Sequence, residues 1–327
     1  MAINDAANGY DVTVLMPVYN GADFVEAAIQ SILMQQNVKF KLIVFNDGST
    51  DSTLEILAKY HCKDVQVIDS VKNIGYVHAL NQMLPMVSSP YIARLDADDV
   101  AHPQRLAKQI TYIESRPSTL VLATDFEYID THGRVLDFPT DRCLGLRPSS
   151  ALLFENVLCH PTVLLRTSVF SSVTSEYDAN VMPAEDYDLW LKCAEVGDVE
   201  IYPEKLTQYR LHAKQITGLR EKSTYKTNSI IRIRHLERTE SLSVRTNGLG
   251  IIERIKSVVQ HESEKHSFNQ MTTQRLMMRY LLDFCISGEL STRKQAVSFL
   301  RSVLIDETLS LTEKLTLIRF ARKSLLS

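Results

Sequence analysis

Short apolar runs alternate with amphipathic stretches over the first half of the chain, and several runs end in a cluster of polar residues. The run Val12-Thr13-Val14-Leu15-Met16, rich in β-branched residues and closed by Pro17, predicts a strand. Phe24, Val25, Ala28, Ile29, Ile32 and Leu33 then recur at the 3.6-residue spacing of a helix with one buried face. Residues 41–45 predict a second strand. It leads through the turn Asn46-Asp47-Gly48-Ser49-Thr50-Asp51 into a helix with Ser52 and Glu55 at capping-box spacing. Residues 65–68, 91–95 and 120–123 predict three more strands, separated by helices over 76–84 and over 103–115, the latter begun by Pro103. Strands alternating with helices imply an α/β fold with a mostly parallel sheet covered on both faces.

From about residue 220 the pattern becomes helical. Ile230, Ile231, Ile233 and Leu236 open one amphipathic stretch, and others run over 251–259, 271–286, 292–304 and 311–326. The expected division is therefore a catalytic domain over 1–220 and a helical extension over 221–327, with 245–250 (Arg-Thr-Asn-Gly-Leu-Gly) as the best linker candidate. Charge divides at the same place. Residues 1–220 hold 18 Lys and Arg against 28 Asp and Glu, whereas the remainder holds 18 against 11. An acidic front half argues against nucleic acid as the main partner. The basic helices have two readings: packing on the front half or on a second subunit in a homodimer, or lying on an anionic membrane surface. Packing is the stronger of the two, because basic helix faces are common on soluble proteins.

Composition adds three constraints. Apolar and charged fractions of 45% and 23% suit a globular chain. No run approaches the roughly 18 apolar residues of a membrane-spanning helix, and the polar stretch Met1 to Tyr10 has no apolar region of a secretory signal. Five scattered cysteines without C-x-x-C spacing read as reduced thiols, which favours a cytoplasmic setting.

In a parallel α/β sheet, ligands bind beyond the carboxyl ends of the strands. Tyr19 and Asn20 follow the first predicted strand, Asn46 and Asp47 the second, and Asp96, Asp98 and Asp99 the fourth. Three carboxylates within four residues repel one another and suit a shared hard cation, Mg²⁺ or Mn²⁺, which takes phosphate oxygens as further ligands. The competing reading is a capping turn for the helix near Pro103. No G-x-G-x-x-G follows the first strand, which excludes a dinucleotide dehydrogenase of the usual kind. Residues 16–21 lack the Gly-rich, basic loop that a sugar nucleotidyltransferase needs for a triphosphate.

Six segments together carry a resemblance: Met-Pro-Val-Tyr-Asn (16–20), Asn-Asp-Gly-Ser-Thr-Asp (46–51), Asn73-Ile74-Gly75 with Ala79-Leu80-Asn81, Arg94 to Asp99, Glu-Asp-Tyr-Asp-Leu-Trp-Leu (185–191) and Tyr-Arg-Leu-His (209–212). In order and spacing over roughly 10–215 the chain resembles a family 2 glycosyltransferase of the GT-A fold. The resemblance implies an inverting, metal-dependent transfer from a UDP-sugar (or a thymidine equivalent) to a hydroxyl of a glycan or lipid-linked acceptor. The implied setting is bacterial polysaccharide assembly in the cytoplasm, with a peripheral place at the inner face of the membrane as the sharper reading. It further implies that Asp98 ligates Mn²⁺ or Mg²⁺ and that Asp96 contacts the ribose or the ion's water shell. Asp47 would accept the uracil N3–H, while Pro17, Tyr19 and Asn20 shape the base and ribose pocket. Asn73 and Arg94 fall near the nucleotide, though Arg94 equally suits pairing with a sheet-end carboxylate. Asp186 is the implied base, with Glu185 beside it raising the local negative charge. His212 approaches the ion or the diphosphate, Arg210 the phosphate, and His160 the acceptor. Asp188 reads as a surface or capping residue. A non-catalytic scaffold is the rival reading, and the intact Asp96, Asp98 and Asp186 argue against it. The identities of the sugar and of the acceptor hydroxyl are left open.

Overall fold

In a computed structural model of the chain, the described residues are 9–138, 146–213, 215, 221–243, 251–286 and positions 309, 312, 314, 315, 317 and 318. The chain divides into two compact units, one of residues 1–152 and 156–219, the other of 153–155 and 220–327.

In the first unit, β1 (Val12–Val18) pairs in parallel with β2 (Phe40–Asn46) on one side and β4 (Tyr91–Arg94) on the other, and β3 (Val65–Asp69) extends the parallel set beyond β2. Val12, Val14 and Met16 share one core cluster with Ala28, Ile29 and Ile32 of α1 (Val25–Leu33) and with Leu106 and Ile113 of α4 (Arg105–Glu114). The alternate positions Leu15, Ile43 and Phe45 are equally buried, and α3 (Tyr76–Met83) lies against β1 and β2. Burial on both faces is why these strands read as continuous apolar runs.

Among the described residues nine strands form one sheet: β3-β2-β1-β4, then β8 (Leu164–Arg166), β6 (Thr119–Ile129), β9 (Asp198–Arg210) and β5 (Val100–Ala101), with β7 (Val135–Leu136) beside β6. Beyond β4 the sheet becomes mixed. The short strand β8 is antiparallel to both β4 and β6, while β6 and β9 run parallel, and β5 caps β9.

Some boundaries differ from the sequence reading for physical reasons. Pro17 does not close β1, which continues to Val18. The Val18 carbonyl accepts from Asp47 N on the β2 side, so the nitrogen of Pro17 faces the β4 side, where that pairing has ended at Leu15–Arg94. Ser52 makes no side-chain cap at α2 (Thr53–Leu57); the neighbouring Asp51 accepts from Thr53 N instead. The predicted 120–123 strand is the core of the eleven-residue β6, and β9 was not predicted at all. Its Pro203 falls where the register with β6 slips between Tyr202 and Lys205, a bulge that needs no ladder N–H from proline.

The second unit contains helices Glu221–Ser243, Ile251–Lys265 and Gln270–Ile286. Ile231, Ile255, Val259, Leu276, Tyr280 and Leu281 are buried, and a fully buried ion pair joins Arg232 to Asp283. The linker candidate at 245–250 and the 292–304 stretch lie outside the described residues, as does most of 311–326.

Candidate active site

The loops that follow β1, β2 and β3 are tied together by short polar contacts. Asn20, at φ +50°, donates its N–H to Ser49 Oγ at 2.9 Å, and its Oδ1 accepts from Thr50 N at 2.8 Å. Asp47 is 2% exposed, with Oδ1 accepting from Ile74 N at 2.7 Å and Oδ2 from Gly75 N at 2.9 Å. Gly48 takes φ +67°, and a Cβ there would stand 2.5 Å from the Lys72 carbonyl carbon and 2.6 Å from Asn73 N. Only glycine allows the two loops so close. Pro17 is buried, whereas Tyr19 and Asn73 are exposed, at the same ends of the sheet.

Beyond β4 the chain gathers its carboxylates. Arg94, 3% exposed, donates to the carbonyls of Leu15 and Leu95 and through Nη2 to Asp96 Oδ1 at 2.5 Å. One ligand atom from each of Asp96, Asp98 and Asp99 falls within 4.8 Å of the others. The end of β9 closes over them: Arg210 N donates to Asp99 Oδ1 (2.9 Å), Arg210 Nε to the Asp98 carbonyl (2.8 Å), and His212 Nε2 lies 2.8 Å from Asp98 Oδ2. Phe24 backs both residues, its ring 4.8 Å from the Arg210 guanidinium and 5.0 Å from the His212 ring. A capping turn is not what forms, because α4 begins only at Arg105 with Gln104 in the cap position.

Burial pushes Asp99 well above the usual carboxylate range, and the charges of Asp98 and Asp96 add to the shift. Asp96 is raised for the same reason, against the opposing charge of Arg94. Among the described residues, Asp99 Oδ2 is buried without a hydrogen-bond partner. Clustered carboxylates, a buried orphan oxygen and an imidazole make a donor set that fits a hard divalent cation. Asp96, Asp98, Asp99 and His212 are the residues able to hold it.

A second pair of acids opens α7 (Glu185–Val196), where the helix N-terminus favours negative charge. Asp186 Oδ1 accepts from Tyr187 N at 2.7 Å and Oδ2 from the Asn156 side-chain amide at 3.1 Å. Burial lifts its pKa to about 6; the two hydrogen bonds oppose the rise and the charge of Asp96 adds to it. Glu185, 2% exposed, accepts from Tyr76 Oη at 2.7 Å and is raised to about 8, by burial first and by Asp186 second. The charge of Asp96 is felt at Asp186, which puts the second acid pair within electrostatic reach of the carboxylate cluster. His160 is held beside Tyr177, at 3.4 Å from its hydroxyl, and edge-on to Trp190. Burial, aided by the charge of Arg94, depresses its pKa well below the usual histidine value, so the ring is neutral. Asp188 is no surface residue: it is 3% exposed and pairs with Lys192 one turn on.

Sequence reasoning missed Tyr76 and Asn156 as members of this constellation, counted Asp99 among the clustered carboxylates without its bond to Arg210 N, and gave no role to Asn81. Asn81 grips the backbone of Tyr177 from both sides, donating to its carbonyl at 2.8 Å and accepting from its N–H at 2.9 Å. For Asn81 a signal existed, since it stands inside a quoted motif; Tyr76 and Asn156 reach their partners across 109 and 30 residues, with no local pattern.

Comparison with known proteins agrees with this geometry. Residues 13–158 match the family described as Glycosyl transferase family 2. An uncharacterised glycosyltransferase of Haemophilus influenzae is 30% identical over 218 residues, covering 64% of this chain and 68% of that protein. Another from Methanocaldococcus jannaschii is 29% identical over 206 residues, covering 61% and 70%. Among solved structures, Staphylococcus aureus TarS (1–349) in complex with UDP-GlcNAc superposes with a TM-score of 0.62 at 16% identity, over 97% of this chain and 91% of that one. The Pyrobaculum calidifontis mannosyltransferase PcManGT, in complex with GDP-Man and Mn²⁺, gives 0.53 at 14% identity, over 97% and 86%. With the GT-A-like sheet, its carboxylates at the strand ends and these relatives, the chain belongs to glycosyltransferase family 2.

Proposed function

We propose that this glycosyltransferase moves a sugar, with inversion, from a UDP-sugar to a hydroxyl of a glycan or lipid-linked acceptor, in polysaccharide assembly. The observation that carries the reading is the pairing of two acid sites. One is a carboxylate cluster suited to the diphosphate end of the donor; the other is a half-buried carboxylate whose pKa is lifted to about 6, at a helix N-terminus. UDP and UDP-GlcNAc bound to TarS support the donor class, and Mn²⁺ bound to PcManGT supports the ion.

Asp98 and His212 would hold Mn²⁺ or Mg²⁺, with Asp96 and Asp99 beside them. The bound ion supplies Lewis acidity that neutralises charge on the departing diphosphate. Asp47, Gly48 and the 73–75 segment, locked together by hydrogen bonds, form a rigid floor for the base, and Pro17, Tyr19 and Asn20 border it. Arg94 holds Asp96 in place from beneath, and Arg210 does the same for Asp98 and Asp99. Asp186 takes the proton of the acceptor hydroxyl as that oxygen bonds to C1. The C1–O bond to the diphosphate breaks in the same displacement, and the nucleotide leaves with the electron pair. Glu185, protonated near neutral pH, leaves Asp186 as the ionised member of the pair. His160, neutral and half-buried beside Trp190, borders the acceptor side.

No helix among the described residues is long and apolar enough to cross a membrane. On this reading the acceptor is met in the cytoplasm or at the inner face of the membrane, as the family resemblance implies. Calorimetric titration with UDP, with and without Mn²⁺, tests the reading. Binding that requires Mn²⁺ and falls at least tenfold in Asp98→Ala is expected; UDP binding indifferent to the ion would refute the metal role.

A further inference from the structure

We infer that Asn156 is a positioning residue for Asp186, holding that carboxylate in one orientation and favouring its charged form. The inference rests on the reading of Asp186 as the base. Asn156 lies in the turn between α5 (Pro148–Ala151) and the Cys159-His160-Pro161-Thr162 segment, 30 residues from Asp186 in the chain. Its side-chain oxygen accepts from Leu158 N at 3.3 Å, which fixes which end of the amide faces which way. The NH₂ end therefore points at Asp186 Oδ2, 3.1 Å away, as a donor. The other oxygen, Oδ1, is held by Tyr187 N. Bonds to both oxygens stop rotation about the terminal torsion and leave Oδ2 a second lone pair for an incoming hydroxyl.

A donor at Oδ2 matters because, apart from the backbone N–H groups at the start of α7, the named side chains around Asp186 favour its protonation or leave it unchanged. Glu185 stands beside it on α7, and Asp96 acts on it from the loop after β4. Tyr76 on α3 and Tyr177 both lie within its electrostatic reach, with pKa values raised far enough to keep them neutral. Arg94, whose charge acts on the neighbouring Glu185, is committed to Asp96 and two carbonyls. Among the described residues, the side-chain amide of Asn156 is thus the side-chain donor to the Asp186 carboxylate.

The test follows the Asp186 carboxyl directly, with no ligand present. Aspartate carboxyl carbons are labelled in the full chain, and the Asp186 signal is identified by its loss in Asp186→Asn. Its titration midpoint is then read in the wild type, in Asn156→Ala and in Asn156→Asp. Removing one hydrogen bond to a carboxylate should raise the midpoint by about one pH unit, a tenfold change in the protonation equilibrium. Asn156→Asp keeps an acceptor for Leu158 N but replaces the donor with a carboxylate, so its shift should be at least as large. A midpoint within about 0.3 unit of wild type in Asn156→Ala, with only the thermal melt lowered, would overturn the inference and leave a structural role. Turnover of UDP-GlcNAc by Asp186→Asn is measured separately. Undiminished turnover there would remove Asp186 as the base, whatever the midpoint does.

Discussion

Replacing Gly48 by alanine should destabilise the catalytic unit far more than a single methyl group on a loop ordinarily would. The backbone at +67° already places an L-residue in the left-handed region, which costs on the order of 1–2 kcal/mol. The new Cβ would meet the Lys72 carbonyl carbon at 2.5 Å and Asn73 N at 2.6 Å, roughly 1 Å inside the ordinary contact distance. Both are backbone atoms, so no rotamer change relieves the overlap, and the 72–75 loop must shift instead. That movement stretches the bonds from Ile74 N and Gly75 N to Asp47, each worth about 1.5–3 kcal/mol when the acceptor is charged. With partial relaxation the loss should be about 3–6 kcal/mol, a large part of the roughly 5–15 kcal/mol that holds a domain folded. Urea unfolding without ligand, followed by fluorescence of Trp190 within the same unit, measures it. UDP calorimetry on whatever folds should show binding weakened at least tenfold. A change in unfolding free energy below about 1 kcal/mol, with normal UDP binding, would refute the close-packed account of these loops.

Two further outcomes follow from the acid pair. Glu185 rises from an ordinary 4.5 to about 8, so between these values the folded chain holds a proton that the unfolded chain has lost. Its contribution to stability therefore falls as pH rises through that window. Glu185→Gln, which keeps an acceptor for Tyr76 Oη, should be more stable than wild type at pH 8 by on the order of 1–3 kcal/mol and equal to it at pH 4; urea midpoints at the two pH values check this. For turnover of whichever nucleotide sugar the chain accepts in a screen, the acidic limb should rise through about pH 6 if Asp186 is the proposed base, and a rate flat from pH 5 to 8 would contradict that assignment.

How much of this was legible in the sequence varies element by element. The parallel strands were readable because burial on both faces turns each into an apolar run, as in 12–16 and 41–45. Asp96 and Asp98 announced themselves by local repulsion, and Asp186 by its place in a motif. β9 was hidden because the half-buried Glu200 and Glu204 and the exposed Lys205 break its apolar pattern and because Pro203 interrupts it, a cost that its bulge removes. Tyr76 and Asn156 were invisible for a different reason. Their roles arise only from where α3 and the turn after α5 come to rest, and no periodicity encodes a side chain meeting one distant acid. Asp99 lay in plain view, yet its hold on Arg210 N depends on β9 and went unread with it.

The junction between the parallel and mixed parts of the sheet is stitched by two fully buried polar residues of α4. Arg105 Nη2 donates to the Arg94 carbonyl at 2.8 Å and reaches the Val163 carbonyl at 3.4 Å, while its Nε donates to Gln109. Gln109 in turn donates to the carbonyls of Leu122 and Thr162. Backbone carbonyls carry no side-chain identity, so this stitch is indifferent to which residues occupy 162 and 163 but not to where the chain runs. It marks a seam for recombination, where a segment from about 146 to 196 taken from a relative would meet a fixed set of partners. Such a graft would have to return its carbonyls to the same two places, with Arg105 and Gln109 as the fixed half of the joint, and also offer partners to Asn81 and Tyr76.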